Sequence, residues 1–186
     1  MKRKHITIIS TLLILLIGVA IRSPAIKNLI AHKPPSLPAP IIVSASETDM
    51  VTRTVDGDTF VVWLNGTEEK VRMLGMDTPE TVDPRKPVQC FGKEASHRLH
   101  DLLTGVVVRL EPDPTNDNRD KYNRILRYVY LPDGTDVNAQ MIQQGYAFAY
   151  TVFPFQKREA YLKLQTDARQ NARGLWALTT CAGKHG

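Results

Sequence analysis

The fold turns on one stretch of the chain, Thr59-Phe60-Val61-Val62-Trp63-Leu64-Asn65-Gly66-Thr67-Glu68-Glu69-Lys70-Val71-Arg72-Met73-Leu74. Asn65-Gly66 suits the two positive-φ positions of a tight hairpin turn, and residues with high β-propensity flank it on both sides. Strands are therefore expected at Thr59–Leu64 and Thr67–Leu74. Counted back from the turn, Thr59 lies opposite Arg72, which makes Asp58 and Arg72 neighbours at the end away from the turn. Asp77 lies further along the return strand, and Gly75 allows the bend that brings it alongside Asp58. Pro79 stiffens the exit through Thr78-Pro79-Glu80. One end of the hairpin thus collects the carboxylates of Asp58, Asp77 and Glu80 with the guanidinium of Arg72.

Outward from the hairpin, Met50–Val55 reads as the preceding strand, and the folded part is expected to begin near Met50. Phe91–Leu103 carries Ala95, Leu99, Leu102 and Leu103 on one helical face, with Gly105 as its stop. Val106–Leu110 and Ile125–Leu131 read as strands, the second ended by Pro132-Asp133-Gly134. Asp136 caps a short helix, Val137–Gln144, which Gly145 closes. Tyr146–Val152 is a further strand candidate, and a last helix is expected from Phe155 to Arg173. Five short strands with three helices make an α+β domain and suit a small, partly open β-barrel of the OB-fold type. Other α+β arrangements fit the same periodicities.

The first 50 of the 186 residues do not read as a folded domain. Met1-Lys2-Arg3-Lys4-His5 is basic and feeds an apolar run from Ile6 to Ile21, the pattern of an export segment. The run is short for a full membrane span. Small residues at Gly18-Val19-Ala20 and Ser23-Pro24-Ala25 offer cleavage positions, so residues 1–25 read either as a cleaved signal peptide or as a retained membrane anchor. Residues 26–49 read as a linker kept extended by its prolines, and residues 50–180 as one domain.

The formal charge of +5 sits mostly in the leader: residues 1–50 carry six Lys/Arg against two Asp/Glu, and residues 51–186 eighteen against seventeen. Any affinity of the domain for phosphates must come from local clusters. Six basic residues between Lys157 and Lys184 face only Glu159 and Asp167, which fits a solvated face or a surface for phosphates. Cys90 and Cys181 are a disulfide candidate in an oxidising compartment. No CxxC, P-loop, HExxH or GxSxG occurs, which removes support for thiol-redox, NTPase, zincin and esterase readings. His97 and His100, at i and i+3 with no third ligand, read as solvated.

Crowded carboxylates are costly unless a positive charge sits among them. A hard divalent cation does this, and oxygen donors select Ca²⁺ or Mg²⁺ over thiophilic metals. An arginine fork beside them matches a phosphate bidentately, and the set could polarise a phosphodiester and activate a water. From spacing alone, a plain turn at Asp56-Gly57-Asp58 with a structural Arg72–Asp58 pair fits equally well.

Longer segments narrow the choice. Val55-Asp56-Gly57-Asp58-Thr59, Val71-Arg72-Met73-Leu74-Gly75-Met76-Asp77-Thr78-Pro79-Glu80-Thr81, Phe91-Gly92-Lys93-Glu94-Ala95-Ser96 and Asp120-Lys121-Tyr122-Asn123-Arg124 strongly resemble the staphylococcal-nuclease (thermonuclease) family. Val137-Asn138, Gln144-Gly145 and Gly174-Leu175-Trp176 extend the match over about residues 50–177. The resemblance implies an OB-fold nuclease using Ca²⁺, with Mg²⁺ or Mn²⁺ as substitutes, that acts on DNA and RNA and leaves 3′-phosphates. It makes Asp58 and Asp77 side-chain metal ligands, joined by the carbonyl of Thr78. It makes Glu80 the residue that activates or orients water, and gives the phosphate to Arg72 and Arg124. Lys121 and Tyr122 would line the nucleotide pocket.

The aromatic spacing in Tyr146–Phe153 departs from the family, leaving Tyr150 or Phe153 as stacking alternatives. Trp63 and Trp176 are expected to be packing residues, and Asp83 to face water. The expected product is an extracytoplasmic, monomeric enzyme, secreted or held at the membrane by its N-terminal segment. The competing reading is a membrane-tethered OB-fold module that binds nucleic acid without cleaving it.

Overall fold

The structure, a computed structural model, describes residues 47–85 and 87–184. The signal or anchor segment and most of the linker lie outside the described residues. Among the described residues no helix is long and apolar enough to cross a membrane.

In chain order the elements are β1 (Glu47–Thr54), β2 (Thr59–Leu64), β3 (Thr67–Met73), β4 (Met76–Asp77), α1 (Gly92–Leu103), β5 (Val107–Glu111), β6 (Ile125–Tyr130), α2 (Val137–Gln143), β7 (Phe148–Ala149) and α3 (Arg158–Gln170). A 3₁₀ turn, Gly174–Trp176, follows. The hairpin has the register counted from its turn, Thr59 opposite Arg72 and Leu64 opposite Thr67. Asn65 and Gly66 take φ of 49° and 83°, as a type I′ turn demands.

Five strands close a barrel in the order β1-β2-β3-β6-β5. The closure exceeds the partly open barrel expected, and β1 is the reason. It begins at Glu47, earlier than Met50, so that residues 47–49, assigned above to the linker, pair antiparallel with Leu110, Arg109 and Val108 of β5. A register shift between Val51 and Arg53 lets the same strand pair with β2 on its other edge. β3 and β6 run parallel, with Val71 opposite Ile125 and Arg72 opposite Leu126. A parallel pair needs a long crossover, which α1 and β5 supply.

The barrel is filled by Phe60, Val62, Val71, Met73, Leu110, Ile125 and Val129, all essentially inaccessible to solvent. α1 buries Ala95, Leu99 and Leu103 against it, and α2 buries Met141 and Ile142. Asn138 of α2 is wholly buried. Its Oδ1 accepts the Val129 N–H, and its Nδ2 donates to the Leu74 carbonyl at 2.9 Å. That amide fixes α2 to the strand end from which the hairpin's acids depart.

Three elements differ from expectation. The last helix starts at Arg158 because Phe155 leaves the helical path to enter the core, where its ring covers Gly75. The Gln156 N–H is donated to Asp113 instead of to a helical turn. The helix ends before Arg173, since Ala172 turns to φ 49°. The strand candidate Tyr146–Val152 shrinks to β7, because its partner β4 has only two residues. Trp63 is half exposed on the outer face of β2, opposite the equally exposed Met50, so it is not a packing residue.

A polar network locks α3 to the barrel. Asp136 caps α2 through the Ala139 N–H and accepts from Lys157 Nζ at 2.8 Å and from the Tyr161 hydroxyl. Lys157 also contacts the Tyr130 hydroxyl and lies over the Tyr128 ring. Asp113 accepts from Thr115, from the Tyr128 hydroxyl and from the Gln156 N–H. Burial works to raise the Asp113 carboxyl, but these donors outweigh it and hold the group below the usual carboxylate range. Cys90 and Cys181 are joined by a disulfide, with Cα atoms 5.8 Å apart and a sequence separation of 91. In the chain-entropy model a loop of that size is stabilised by roughly 4–5 kcal/mol.

Candidate active site

The hairpin end and the loops around it enclose an open cleft of about 1120 Å³. Arg72 on β3 stands at its centre, with its side chain only 13% exposed. Its Nη1 lies 3.2 Å from Asp58 Oδ2 and its Nη2 donates to Asp77 Oδ1 at 2.7 Å. The Nη1 also donates to the carbonyls of Met73 and Met76, at 3.1 and 2.9 Å. Bends at 73–76 wrap those carbonyls around the guanidinium. Gly75 makes the bend possible: it takes φ 69°, and a Cβ there would lie 2.6 Å from the Phe155 ring.

Asp58 is buried and well anchored. Its Oδ2 accepts both the backbone N–H and the hydroxyl of Thr78, each at 3.1 Å. Its Oδ1 accepts from the Thr59 hydroxyl at 3.0 Å. Gly57 has to lack a side chain, since a Cβ would fall 2.7 Å from Thr78 Oγ1. Asp56 stands beside this group, and burial first, then the negative charge of Asp58, pushes its carboxyl up to about 7.

Glu80 enters from the turn after β4. Its Oε1 accepts three backbone N–H groups, from Thr81, Val82 and Asp83, at 2.8, 2.7 and 3.2 Å. Gln89 holds the backbone of Glu80 in both directions: its Oε1 accepts the Glu80 N–H at 2.7 Å, and its own N–H is donated to the Glu80 carbonyl. Cys90, next in sequence, carries the disulfide. Asp83 does not face water as expected; its carboxylate is largely covered and binds Arg85 through both oxygens.

Arg124 reaches the same cleft from the start of β6. Its Nη1 donates to Thr59 Oγ1 at 3.2 Å, and its Nε donates to Asp120 Oδ2 at 2.7 Å. Burial works to raise the Asp120 carboxyl, but the N–H groups and charge of Arg124 win and hold it below the usual range. Tyr122 is exposed at the rim, with Lys121 Nζ 5.0 Å and Arg124 Cζ 5.5 Å from its ring centre. Arg119, further along this loop, is paired bidentately with Glu69 and braces it against β3.

All eight residues singled out for catalysis, metal or substrate from the sequence line this one cleft: Asp58, Arg72, Asp77, Thr78, Glu80, Lys121, Tyr122 and Arg124. His97 and His100 lie on the exposed face of α1, away from it. Three residues of the site escaped the sequence reading. Thr59 bridges Asp58 to Arg124, Asp120 orients Arg124, and Gln89 positions Glu80. Thr59 and Asp120 belong to the quoted motifs, so position in a motif was the available signal; Gln89 had none.

The donors fit a hard cation. They are all oxygens, and the two carboxylates of Asp58 and Asp77 share the single guanidinium of Arg72 in half-buried surroundings. Among the described residues no three His, Cys, Asp or Glu side chains come together as a ready metal cage. Two of the cleft's acids with a backbone carbonyl could supply oxygen donors of the kind that Ca²⁺ and Mg²⁺ take.

A closed five-stranded barrel with acids and arginines converging at one end defines a class: an OB-type barrel with an anion-and-cation cleft suited to a phosphodiester. Comparison with known proteins narrows it. The sequence profile described as "Staphylococcal nuclease homologue" matches residues 70–178. The thermonuclease of Staphylococcus intermedius is 39% identical over 70% of this chain and 76% of its own length. That of Staphylococcus hyicus is 38% identical with the same coverage. The endonuclease YncB of Bacillus subtilis is 39% identical over 67% of this chain and 59% of its own length. The chain belongs to the staphylococcal nuclease family.

Proposed function

We propose that the protein is an exported, Ca²⁺-dependent nuclease that hydrolyses phosphodiester bonds of DNA and/or RNA and leaves 3′-phosphate ends. The observation that carries this reading is the convergence of Asp58, Arg72, Asp77, Glu80 and Arg124 on one open cleft.

In this mechanism Asp58, Asp77 and the Thr78 carbonyl hold the cation. When bound, the ion supplies positive charge that polarises the phosphoryl group and favours ionisation of a water. Glu80, its carboxylate preset by the three N–H groups of the 81–83 turn, orients the attacking water and takes its proton as the water oxygen bonds to phosphorus and the P–O5′ bond breaks, the leaving 5′ oxygen taking a proton from solvent. Arg72 and Arg124 donate to the non-bridging oxygens, whose charge rises in the five-coordinate transition state. That electrostatic contribution is typically the largest in such sites. Their alignment is fixed in advance, Arg72 by two carbonyls and two acids, Arg124 by Asp120 and Thr59. Lys121 and Tyr122 receive the neighbouring nucleotide. The domain acts as a monomer. An extracytoplasmic location, secreted or membrane-anchored, is supported by the basic-then-apolar leader and the Cys90–Cys181 bond.

The test is cleavage of a labelled single-stranded DNA by the full-length chain in detergent, with Ca²⁺, Mg²⁺ or EDTA, followed by analysis of the product ends. Ca²⁺-dependent cleavage to 3′-phosphates is expected, with a loss of at least about two orders of magnitude in Glu80→Gln. Binding without cleavage under every metal condition would leave the barrel as a non-catalytic module.

A further inference from the structure

A second concavity of about 500 Å³ opens beside the cleft and shares Asp77 and Tyr150 with it. The two meet at these residues, on and beside the short β4–β7 ribbon. Arg169, in the last turn of α3, projects here with its guanidinium 5.8 Å from the centre of the Trp176 ring. It is exposed, and among the described residues no acid pairs with it. The other cations of the Lys157–Lys184 cluster behave differently. Lys157, Arg158 and Arg173 are held by Asp136, Glu159 and Asp167, while Lys163 and Lys184 lie on exposed surface outside the groove.

The rest of the lining suits the same kind of ligand. Trp176 is braced edge-on by Phe148, with ring centroids 5.2 Å apart. Tyr150 offers a second aromatic surface at the junction with the cleft. Gln165 accepts the Ala149 N–H through Oε1, which leaves its amide N–H groups as donors. An unpaired arginine over an aromatic wall, adjoining a phosphodiester cleft, is the combination that holds a further nucleotide of a single strand.

We infer that this groove is a secondary nucleotide subsite, in which Arg169 contacts a backbone phosphate beyond the scissile bond and the Tyr150–Trp176 wall supports the attached nucleoside. The inference rests on the nuclease reading and deepens it. The strand runs from Tyr122 across Arg72 and Arg124, then over the β4–β7 ribbon to Arg169. The subsite therefore favours chains long enough to span both concavities.

The experiment compares kcat/KM for a dinucleotide substrate, which fills the cleft alone, with that for a twelve-nucleotide single strand, in the full-length chain. Arg169→Ala is expected to lower efficiency on the long strand roughly 3- to 10-fold, to leave the dinucleotide unchanged, and to reduce the salt slope by about 0.7. Lys163→Ala, which removes the same charge from the same helix outside the groove, serves as control and leaves both substrates at wild-type efficiency. Equal efficiency of Arg169→Ala and wild type on the long strand overturns the subsite, as does an equal loss in Lys163→Ala. Absence of cleavage of either substrate by the wild type overturns the nuclease reading itself, so the two failures are distinguishable.

Discussion

Two regions of this molecule set half-buried carboxylates among donors, and they treat the charge differently. Beneath α3, every carboxylate oxygen of Asp113 and Asp136 accepts a bond from within the protein, from Thr115, Tyr128, Gln156, Ala139, Tyr161 or Lys157. At the hairpin end, Asp56, Asp58 and Asp77 crowd about Arg72, and Asp56 is pushed up to about 7. The first arrangement is complete and open to no ligand. The second keeps surplus negative charge at the wall of a cleft. Internally balanced charge reads as architecture, and imbalance facing a cleft reads as chemistry.

The largest expected effect that would break this contrast is on rate. Arg124→Ala should cost about 100- to 1,000-fold in kcat, the usual toll of losing a transition-state donor, while the melting temperature moves by only a few degrees. Lys157→Ala should do the reverse. Asp136 keeps its bonds from Ala139 and Tyr161 but loses its charge partner, so stability should fall by about 2–4 kcal/mol, read in urea melts, with kcat unchanged where the protein is folded. A rate loss in Lys157→Ala like that of Arg124→Ala would end the distinction.

The smallest effect sharpens the contrast through pH. The Asp113 carboxyl lies below its ordinary value in the folded chain. Its contribution is therefore fully present above the unfolded value near about 3.9 and is lost as pH falls through the lower folded value. Urea midpoints measured from neutral pH downward should decline below about pH 4 in the wild type. Asp113→Asn should begin about 1–2 kcal/mol less stable and decline less steeply in that window. An unchanged acid limb in the variant would show that Asp113 does not set it.

Much of the site was legible because it is short-range. Asp58, Arg72 and Asp77 meet across a hairpin whose register follows from a two-residue turn and a side-chain period of two. The sequence marks Gly75 as the bend, but the Phe155 ring that fills the space beside it comes from 80 residues away and cuts short a helix that periodicity extends. A tryptophan on a strand is expected to pack, yet strand alternation points Trp63 outward. Gln89 carried no motif at all, and its grip on Glu80 depends on a loop that only the folded chain closes.

By itself, then, the sequence determined the hairpin, its register, the order of the remaining strands and helices, and which charged residues gather at one end. The hairpin and the gathering of Asp58, Arg72, Asp77 and Glu80 follow from turn chemistry and periodicity, which act over a few residues, while Arg124, Lys121 and Tyr122 entered only through the family resemblance. Only the tertiary structure decided that β1 would pair on both edges and close the barrel. It alone joined Arg124 to Asp58 through Thr59, delivered three N–H groups to Glu80, and left Arg169 without an acid among the described residues. Those outcomes depend on packing and hydrogen bonds between segments far apart in the chain, where no local pattern records the partner.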